Sequence, residues 1–543
     1  MTLNSLSTIT TDVLIIGSGG AGLRAAIAAR EKGVSVILVS KSRTGLGNNT
    51  ALSLAAMASA TGEADPRDNP AIHTRDTMEG GCFINDRNLV EKMTERAARE
   101  IPNLEKYGAL IDKENGKHII TRAAGHSYPR SVRGEKNRGT SYTLPLKAYA
   151  TKMGVTFRER VFVTKLLVKG GRVSGAIGID QGESVLVFSA KSVVLAAGGL
   201  GHLYLYTNNA AGMTGDGYAL AFNAGIPLRD MEFVQFHPTA IGGVRLFNYE
   251  IFVLNAGAKI KNVLGEDIFI RHGMTTPMTM TRDRTAQAIT REITEGRDKE
   301  GGVIIDLNPV SEANMRKFRF LLPLEAISEG KREFIVSPTC HFHMGGCVID
   351  VETGTNITGL FAAGEVTGGE HGANRLGGNA LAEIFALGGL AGENAADFAK
   401  GRDTLKIDAK EIAAEKERLE SMMGESSDQT ANLTRSLQET MWKNVGIIRN
   451  GKGLTEAIDK INEIRSLSRD AKAADVRGLR RRLELDNLLL AGEMVTRAAL
   501  TRTESRGAHF REDYPAEDEN WLANLFITNK NGAIAMEKKA VEG

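Results

Sequence analysis

Three glycines near the N-terminus carry the clearest chemical signal in the chain: Gly17-x-Gly19-x-x-Gly22, within Gly17-Ser18-Gly19-Gly20-Ala21-Gly22. The first permits a tight turn, the second lets backbone approach a pyrophosphate, and the third lets a helix pack closely on a strand. The free N–H groups of the helix that follows would meet the diphosphate charge. Alone the motif is weak, and a structural glycine turn is the competing reading; a strand-like run before it and a helix-prone run after it favour dinucleotide binding. Cys82, Cys340 and Cys347 have no C-x-x-C spacing, so the chain cannot supply the four thiolates of an iron–sulfur cluster, and any cluster must sit on a partner. His202, His343 and His371 lack an H-x-x-x-H pair or an acid at ligand spacing, so no metal site is expected.

The elements that must position this motif are a short apolar strand, Asp12 to Ile16, an alanine-rich helix, Leu23 to Arg30, and a second apolar strand, Val34 to Val39. Strand, glycine turn, helix and strand at this distance make a Rossmann-type opening. Two further apolar runs also stop at glycine: Ser192 to Ala197 before Gly198-Gly199, and Gly359 to Ala363 before Gly364-Glu365. Pieces so far apart suit one nucleotide-binding sheet built from a discontinuous domain, with ligand at the carboxyl ends of its strands. The insert, residues 235 to 340, would be a second domain. From Lys410 to Leu500 Leu, Ile and Met recur at helical spacing, as in Leu433, Leu437 and Met441, so a helical bundle is expected. Arg502 to Trp521 reads as a charged tail packed back on the body.

The 543 residues suggest roughly three or four structural units. Lys plus Arg (68) nearly balances Asp plus Glu (66), which removes the global field that would draw the chain to nucleic acid or an anionic membrane. No 18-residue apolar run appears and no basic segment precedes an apolar one at the N-terminus, so a cytoplasmic protein without a membrane span is expected, attachment to a membrane complex through partner subunits remaining open.

The second strand ends in Val39-Ser40-Lys41, where an acidic residue would hold a nicotinamide dinucleotide's ribose. Ser40-Lys41 and the Thr44 to Thr50 stretch instead resemble the fumarate reductase/succinate dehydrogenase flavoproteins, a family that includes L-aspartate oxidase. The resemblance extends through Leu195-Ala-Ala-Gly-Gly199, Thr214-Gly-Asp-Gly217, Gln235-Phe-His-Pro-Thr239, Thr281-Arg-Asp283, Cys340-His-Phe-His-Met-Gly-Gly346, Ala363-Gly-Glu365, His371-Gly-Ala-Asn-Arg-Leu-Gly-Gly-Asn379 and Arg502-Thr-Glu-Ser-Arg-Gly-Ala-His509. It implies an α/β fold: a discontinuous Rossmann-like FAD-binding domain (1–234 and 341–400), an inserted α+β capping domain (235–340), a C-terminal helical bundle (405–510) and a tail (511–543). It further implies FAD held by Gly17, Gly19, Gly20, Ala21, Gly22, Ser40, Lys41, Asn49, Thr50, Ala197, Gly198, Asp216, Glu365, Asn379, Ala380 and Leu381. Where the family commonly has a flavin-bearing histidine this chain has Asn49, so noncovalent FAD is expected.

The same resemblance implies a C4 dicarboxylate substrate, hydride transfer between it and the flavin, and an iron–sulfur electron-transfer partner. A dianion needs cationic or donating groups at both ends, and Arg is the best planar match. His237, His341, Arg375 and Tyr249 stand at the family's substrate-binding positions, although a lone His or Arg is more often structural. Arg282 matches the catalytic arginine that exchanges the proton, with Arg284 the competing choice. The family's Thr-Glu-x-x-Arg relay meets Tyr249-Glu250-Ile251-Phe252-Val253 here, keeping Glu250 and losing the threonine and the arginine. Ala124 replaces a common Phe, which would admit a larger acid. Beside the reductase reading stand L-aspartate oxidase and a flavin electron-relay subunit without dicarboxylate chemistry.

Overall fold

The computed structural model describes residues 3–276, 278–425 and 429–541. Strand Asn4–Ile16 runs at the centre of a seven-stranded sheet, parallel to Val36–Ser40 on one side and to Ser184–Leu195 on the other. Val13, Leu14 and Ile15 are wholly buried, as expected of a parallel strand covered on both faces, which is why the sequence here is an unbroken apolar run. Leu360–Ala362 joins Ser184–Leu195, again in parallel. Ile16 stands opposite both Val39 and Leu195, and Leu195 opposite Ala362. Four strands from distant parts of the chain therefore end in one row, and their small-residue turns converge on one edge of the sheet.

The helix after the first turn is Gly20–Glu31, longer than the Leu23 start read from composition because the glycine turn itself supplies its first turn. The third strand begins at Ser184, well before Ser192, and its early part pairs antiparallel with a hairpin, Phe162–Lys169 and Arg172–Ile179. Helix Asn379–Ala399 lies against Gly20–Glu31 at backbone distance; a Cβ on Gly392 would stand 2.1 Å from Ala25 O.

Residues of the insert form a five-stranded antiparallel sheet in the order Arg245–Leu246, Val234–Ile241, Glu333–His343, Val303–Asp306, Lys259–Lys261. It has its own core, including Phe247, Tyr249, Phe252, Ile260 and Phe334. Helices Ala409–Ser421, Thr430–Asn444, Gly451–Ser468 and Val476–Thr501 form the C-terminal helical part, with Leu437, Met441, Ile461 and Leu489 packed on Leu203 and Tyr204 of the flavin-side body. Beyond Trp521 the chain is a hairpin, Ala523–Lys530 and Ala533–Ala540, which adds to Leu228–Arg229, Gly346–Val348 and Thr367–Gly368. Asn531 and Gly532 both take positive φ there, the backbone of a two-residue hairpin turn.

A buried ionic knot ties the last helix to the body. Arg502, with 0% side-chain exposure, donates to Glu232 (2.6 Å), Glu504 (2.9 Å) and the carbonyls of Trp521 (3.0 Å) and Ala523 (2.7 Å). Gly507, two residues past Glu504's neighbour Ser505, approaches so closely that a Cβ would meet Ala373 O at 2.6 Å. The motif thus braces the segment that carries Arg375. Arg502→Ala should lower stability by about 3 kcal/mol, because it leaves Glu232 buried without its counter-ion while Glu504 keeps Arg506; the shift in urea midpoint relative to wild type measures it.

Candidate functional site

A cavity runs along the row of strand ends. One end is walled by Gly17 to Ala21, Ser40, Lys41 and Val161 to Val163; the other reaches His237, Arg282, His341 and Arg375. The glycine loop is shaped by close approach. Gly17 has φ +115°, and a Cβ there would lie 2.0 Å from Ala196 O; one on Gly22 would lie 2.0 Å from Gly17 O. At Gly19 the nearest atom is 3.6 Å away, so that glycine alone presents open backbone to the cavity. Gly19 is also the N-cap of helix Gly20–Glu31 and offers no side-chain cap, leaving first-turn N–H groups for an anionic group. Gly20 N is the exception, donating to Thr50 Oγ1 at 3.0 Å.

Ser40 Oγ and Ser18 Oγ share a 2.7 Å hydrogen bond, tying the end of the second strand to the loop. Lys41 turns away from a free role: its Nζ donates to Thr214 Oγ1 (2.6 Å) and Asp216 Oδ2 (2.5 Å). Asp216 opens helix Asp216–Ala224, where its charge suits the dipole. Asn49 bridges three segments, donating to Asn209 Oδ1 (2.7 Å) and Glu365 Oε2 (3.1 Å) and accepting from Ala210 N (2.9 Å). Burial pushes the Glu365 carboxyl up to about 7, and a Cβ on Gly199 would strike that carboxylate. Ala197, Gly198, Ala380 and Leu381 also line the cavity. Gly22 and Asn379 do not. Gly22 serves packing, and the Asn379 side chain is committed to His73 Nε2 (2.8 Å) and Thr77 Oγ1 (3.0 Å).

At the far end two guanidiniums share one amide oxygen: Gln235 Oε1 accepts from Arg375 Nη2 at 2.9 Å and from Arg282 Nη1 at 3.3 Å. Arg282 Nε donates to Glu250 Oε1 at 3.1 Å. Burial, then repulsion from Arg282, pushes Arg375 down to about 9; an arginine keeps its proton in practice, so the push registers positive charge that an anion would compensate. The rings of His237 and His341 lie 5.4 Å apart. Burial holds both well below the ordinary histidine range, helped by Arg282 and Arg375, so both are neutral at pH 7. His237 Nδ1 faces Thr239 N at 3.3 Å and Thr239 O at 3.1 Å; the tautomer that accepts from the N–H leaves Nε2–H to donate into the cavity. His341 Nδ1 lies 3.2 Å from Asn208 Oδ1.

Tyr249 and Glu250 are absent from the lining. The Tyr249 hydroxyl donates to Met280 O at 2.9 Å and its ring backs His237 edge-on at 5.9 Å, so it supports the histidine from behind. Glu250 contacts Arg282 instead. Arg284 is exposed, which separates it from Arg282. Ala124 is buried and outside the lining, next to Gly125, whose neighbouring space Leu376 fills. Gln235 was not singled out in the sequence, although it stands two residues before His237 on the same strand face, a polar residue in an apolar strand. Asn208 and Asn209 were also missed, since loop positions carry no periodic signal.

The description "FAD binding domain" matches residues 12–381, and "Fumarate reductase flavoprotein C-term" matches residues 434–543. The chain is 37% identical over 536 residues to one of the subunits of the fumarate reductase (CoM/CoB) from Methanothermobacter marburgensis, covering 96% of this chain and 97% of that one. It is 39% identical to an uncharacterized FAD-dependent oxidoreductase of Methanocaldococcus jannaschii, covering 96% of each. Among solved structures, E. coli quinol fumarate reductase superposes with TM-score 0.91 at 29% identity over 98% of this chain and 97% of that chain. Mycobacterium smegmatis Sdh1 superposes with TM-score 0.87 at 32% identity, over 99% and 95%.

Proposed function

Because the chain belongs to the fumarate reductase/succinate dehydrogenase flavoprotein family and is an FAD oxidoreductase, we propose that it moves a hydride between FAD and a C4 dicarboxylate, with Arg282 exchanging the proton. The observation that carries this is the single cavity joining the glycine loop to Arg282, Arg375, His237 and His341. FAD fits the chain's own surfaces: open backbone at Gly19, an uncapped helix N-terminus, and neighbouring glycines that no side chain could replace. Bound there, it supplies the hydride acceptor or donor.

The protein's part is electrostatic and geometric. Arg375 and His341 would hold one carboxylate and His237 the other, leaving Arg282 over the reacting carbons. Glu250 neutralises Arg282 in the free site and gives it a proton partner, which an arginine needs if it is to act as an acid. Residues 235–340 would cap the cavity over FAD, screening the transfer from water.

Electrons must come from elsewhere. The three cysteines are half-buried or buried free thiols, so an iron–sulfur subunit is the proposed partner. Leu46, Leu52 and Leu144 are exposed around the 44–53 loop that walls the cavity, a surface that such a partner would cover close to the flavin. The Methanothermobacter relative is named a fumarate reductase (CoM/CoB); CoM and CoB are accordingly the first electron donors to offer. No helix among the described residues is long and apolar enough to cross a membrane, and we place the chain in the cytoplasm or on a membrane complex through its partners.

The test is anaerobic reoxidation of the reduced flavin by fumarate. Fast return of the oxidised absorbance supports the reading; inertness to fumarate with peroxide formed from aspartate and oxygen would replace it with L-aspartate oxidase. Since Asn49 is held by three hydrogen bonds and is no nucleophile, acid precipitation should release all the flavin into the supernatant. Flavin retained on the denatured chain would contradict the noncovalent assignment.

A further inference from the structure

Arg133 is a buried charge that the reading above leaves unused. It is 3% exposed, and among the described residues its side chain makes one hydrogen bond, Nη2 to Thr121 Oγ1 at 3.0 Å, and no ion pair. A buried guanidinium without a paired counter-ion is costly and calls for a reason. The carboxylates whose charge it feels are half-buried Asp112 and then Glu250, and among the described residues it forms an ion pair with neither.

The backbone fixes the same placement independently. Arg133 ends strand Ser131–Arg133, whose neighbour Ile120–Thr121 carries Thr121. Two residues past Thr121, Ala123 Cβ lies 3.0 Å from where a Cβ on Gly377 would stand, and both Glu250 carboxylate oxygens lie 3.3 Å from that point. On the outer side Asp112 N donates to Arg133 O at 2.9 Å, and Asp112 Oδ1 accepts from Lys136 N at 3.3 Å. Helix Tyr249–Ala256, which bears Glu250, has no basic residue of its own. Arg133 is thus the cation placed between Glu250 and the surface.

We propose that Arg133 resupplies Glu250 with protons, with Asp112 as the outlet to solvent, an assignment that rests on the dicarboxylate reading. In the reducing direction a hydride reaches one alkene carbon and a proton leaves Arg282 for the other. Glu250, ionised against Arg282, takes a proton from Arg133 through an intervening water and passes it to the neutral Arg282, and Arg133 recovers one from bulk water past Asp112. One solvent proton is consumed per alkene, and every side chain returns to its starting state. Burial pushes Arg133 down to about 10, which eases the handover. Arg133 does not touch substrate; it acts through Glu250.

The test uses the full-length flavin-loaded protein, reduced and mixed with fumarate in H2O and D2O, alongside fumarate titration of the oxidised flavin spectrum. Arg133→Met should leave the fumarate dissociation constant unchanged, slow the limiting reoxidation rate about 100-fold and enlarge the solvent isotope effect, with Arg133→Lys restoring most of the rate. Asp112→Asn should slow it several-fold in the same manner. A wild-type limiting rate in Arg133→Met, or a slowing explained by weaker fumarate binding alone, overturns the proposal. If Arg133→Met does not accumulate as folded protein, an unchanged rate and isotope effect in Asp112→Asn overturns it. A wild-type protein inert to fumarate refutes the dicarboxylate reading itself, and the relay falls with it.

Discussion

Arg282→Gln should keep its FAD and lose fumarate turnover by at least ~10³-fold. The flavin half of the cavity is built from other segments, so cofactor content and visible spectrum should match wild type. Arg282 opens helix Arg282–Thr294, at the end where the dipole disfavours a cation. Its charge is held there by Glu250 Oε1 at 3.1 Å and Gln235 Oε1 at 3.3 Å, partners that aim it into the cavity. Gln keeps the polarity and has no acidic proton to give. Arg375, His237 and His341 remain to bind the dianion, so the loss should fall on kcat with a modest rise in KM. Arg284→Gln is the control: Arg284 is exposed, and its removal should leave the rate near wild type. A residual Arg282→Gln rate above about a tenth of wild type would move proton transfer to another group, at odds with the magnitude expected of an acid–base residue.

The row of strand ends was readable because each apolar run stops at a small-residue turn, and parallel strands buried on both faces leave no polar alternation to obscure them. That the second run lies beside the first followed from the βαβ spacing; where the other two fall was not readable, since register between Ile16, Leu195 and Ala362 is set by packing across well over a hundred residues. The terminal hairpin had a local signal, Asn531-Gly532 between alternating residues, that the charged stretch before it masked. In the site, residue types pointed to Arg282, Arg375 and the two histidines, whereas side-chain direction decided the rest. Tyr249 points its hydroxyl to Met280 O, and Lys41 spends its charge on Asp216. Gln235, which accepts from both arginines, opens one of the resembling blocks but carries no charge that would mark a role. Arg133 stands far from Glu250 in sequence, and only the strand pairing with Ile120–Thr121 and the turn at Gly377 bring them together.

Glu370→Gln should gain on wild type as pH rises from 5 to about 7.5, whereas above pH 7 the wild type should lose stability chiefly through Glu383. Glu370 and Glu383 are each 1% exposed and converge on Thr367 Oγ1, at 3.0 and 3.4 Å. Burial, then their mutual repulsion, pushes Glu370 up to about 7, and burial pushes Glu383 up to about 8. Both hold protons in the folded state that the unfolded chain releases near pH 4.5. A raised carboxyl pKa therefore favours folding at low pH, and that advantage is lost as pH climbs from the unfolded value through the folded one. His371, pushed down to about 3 by burial, works the other way below its unfolded value near 6.5, as do the other buried neutral histidines. Above pH 7 those contributions have levelled off and that of Glu370 is nearly exhausted, so Glu383, with the higher value, sets most of the slope there. A shift of this size corresponds to about 3 kcal/mol per carboxyl as an order of magnitude. Glu370→Gln keeps an oxygen for the Thr367 hydroxyl and introduces an amide that cannot ionise. In urea unfolding it should match wild type within about 1 kcal/mol at pH 5 and exceed it by about 2 kcal/mol at pH 8.5. Parallel stability curves for the two proteins between those values would show that Glu370 ionises freely in the folded state.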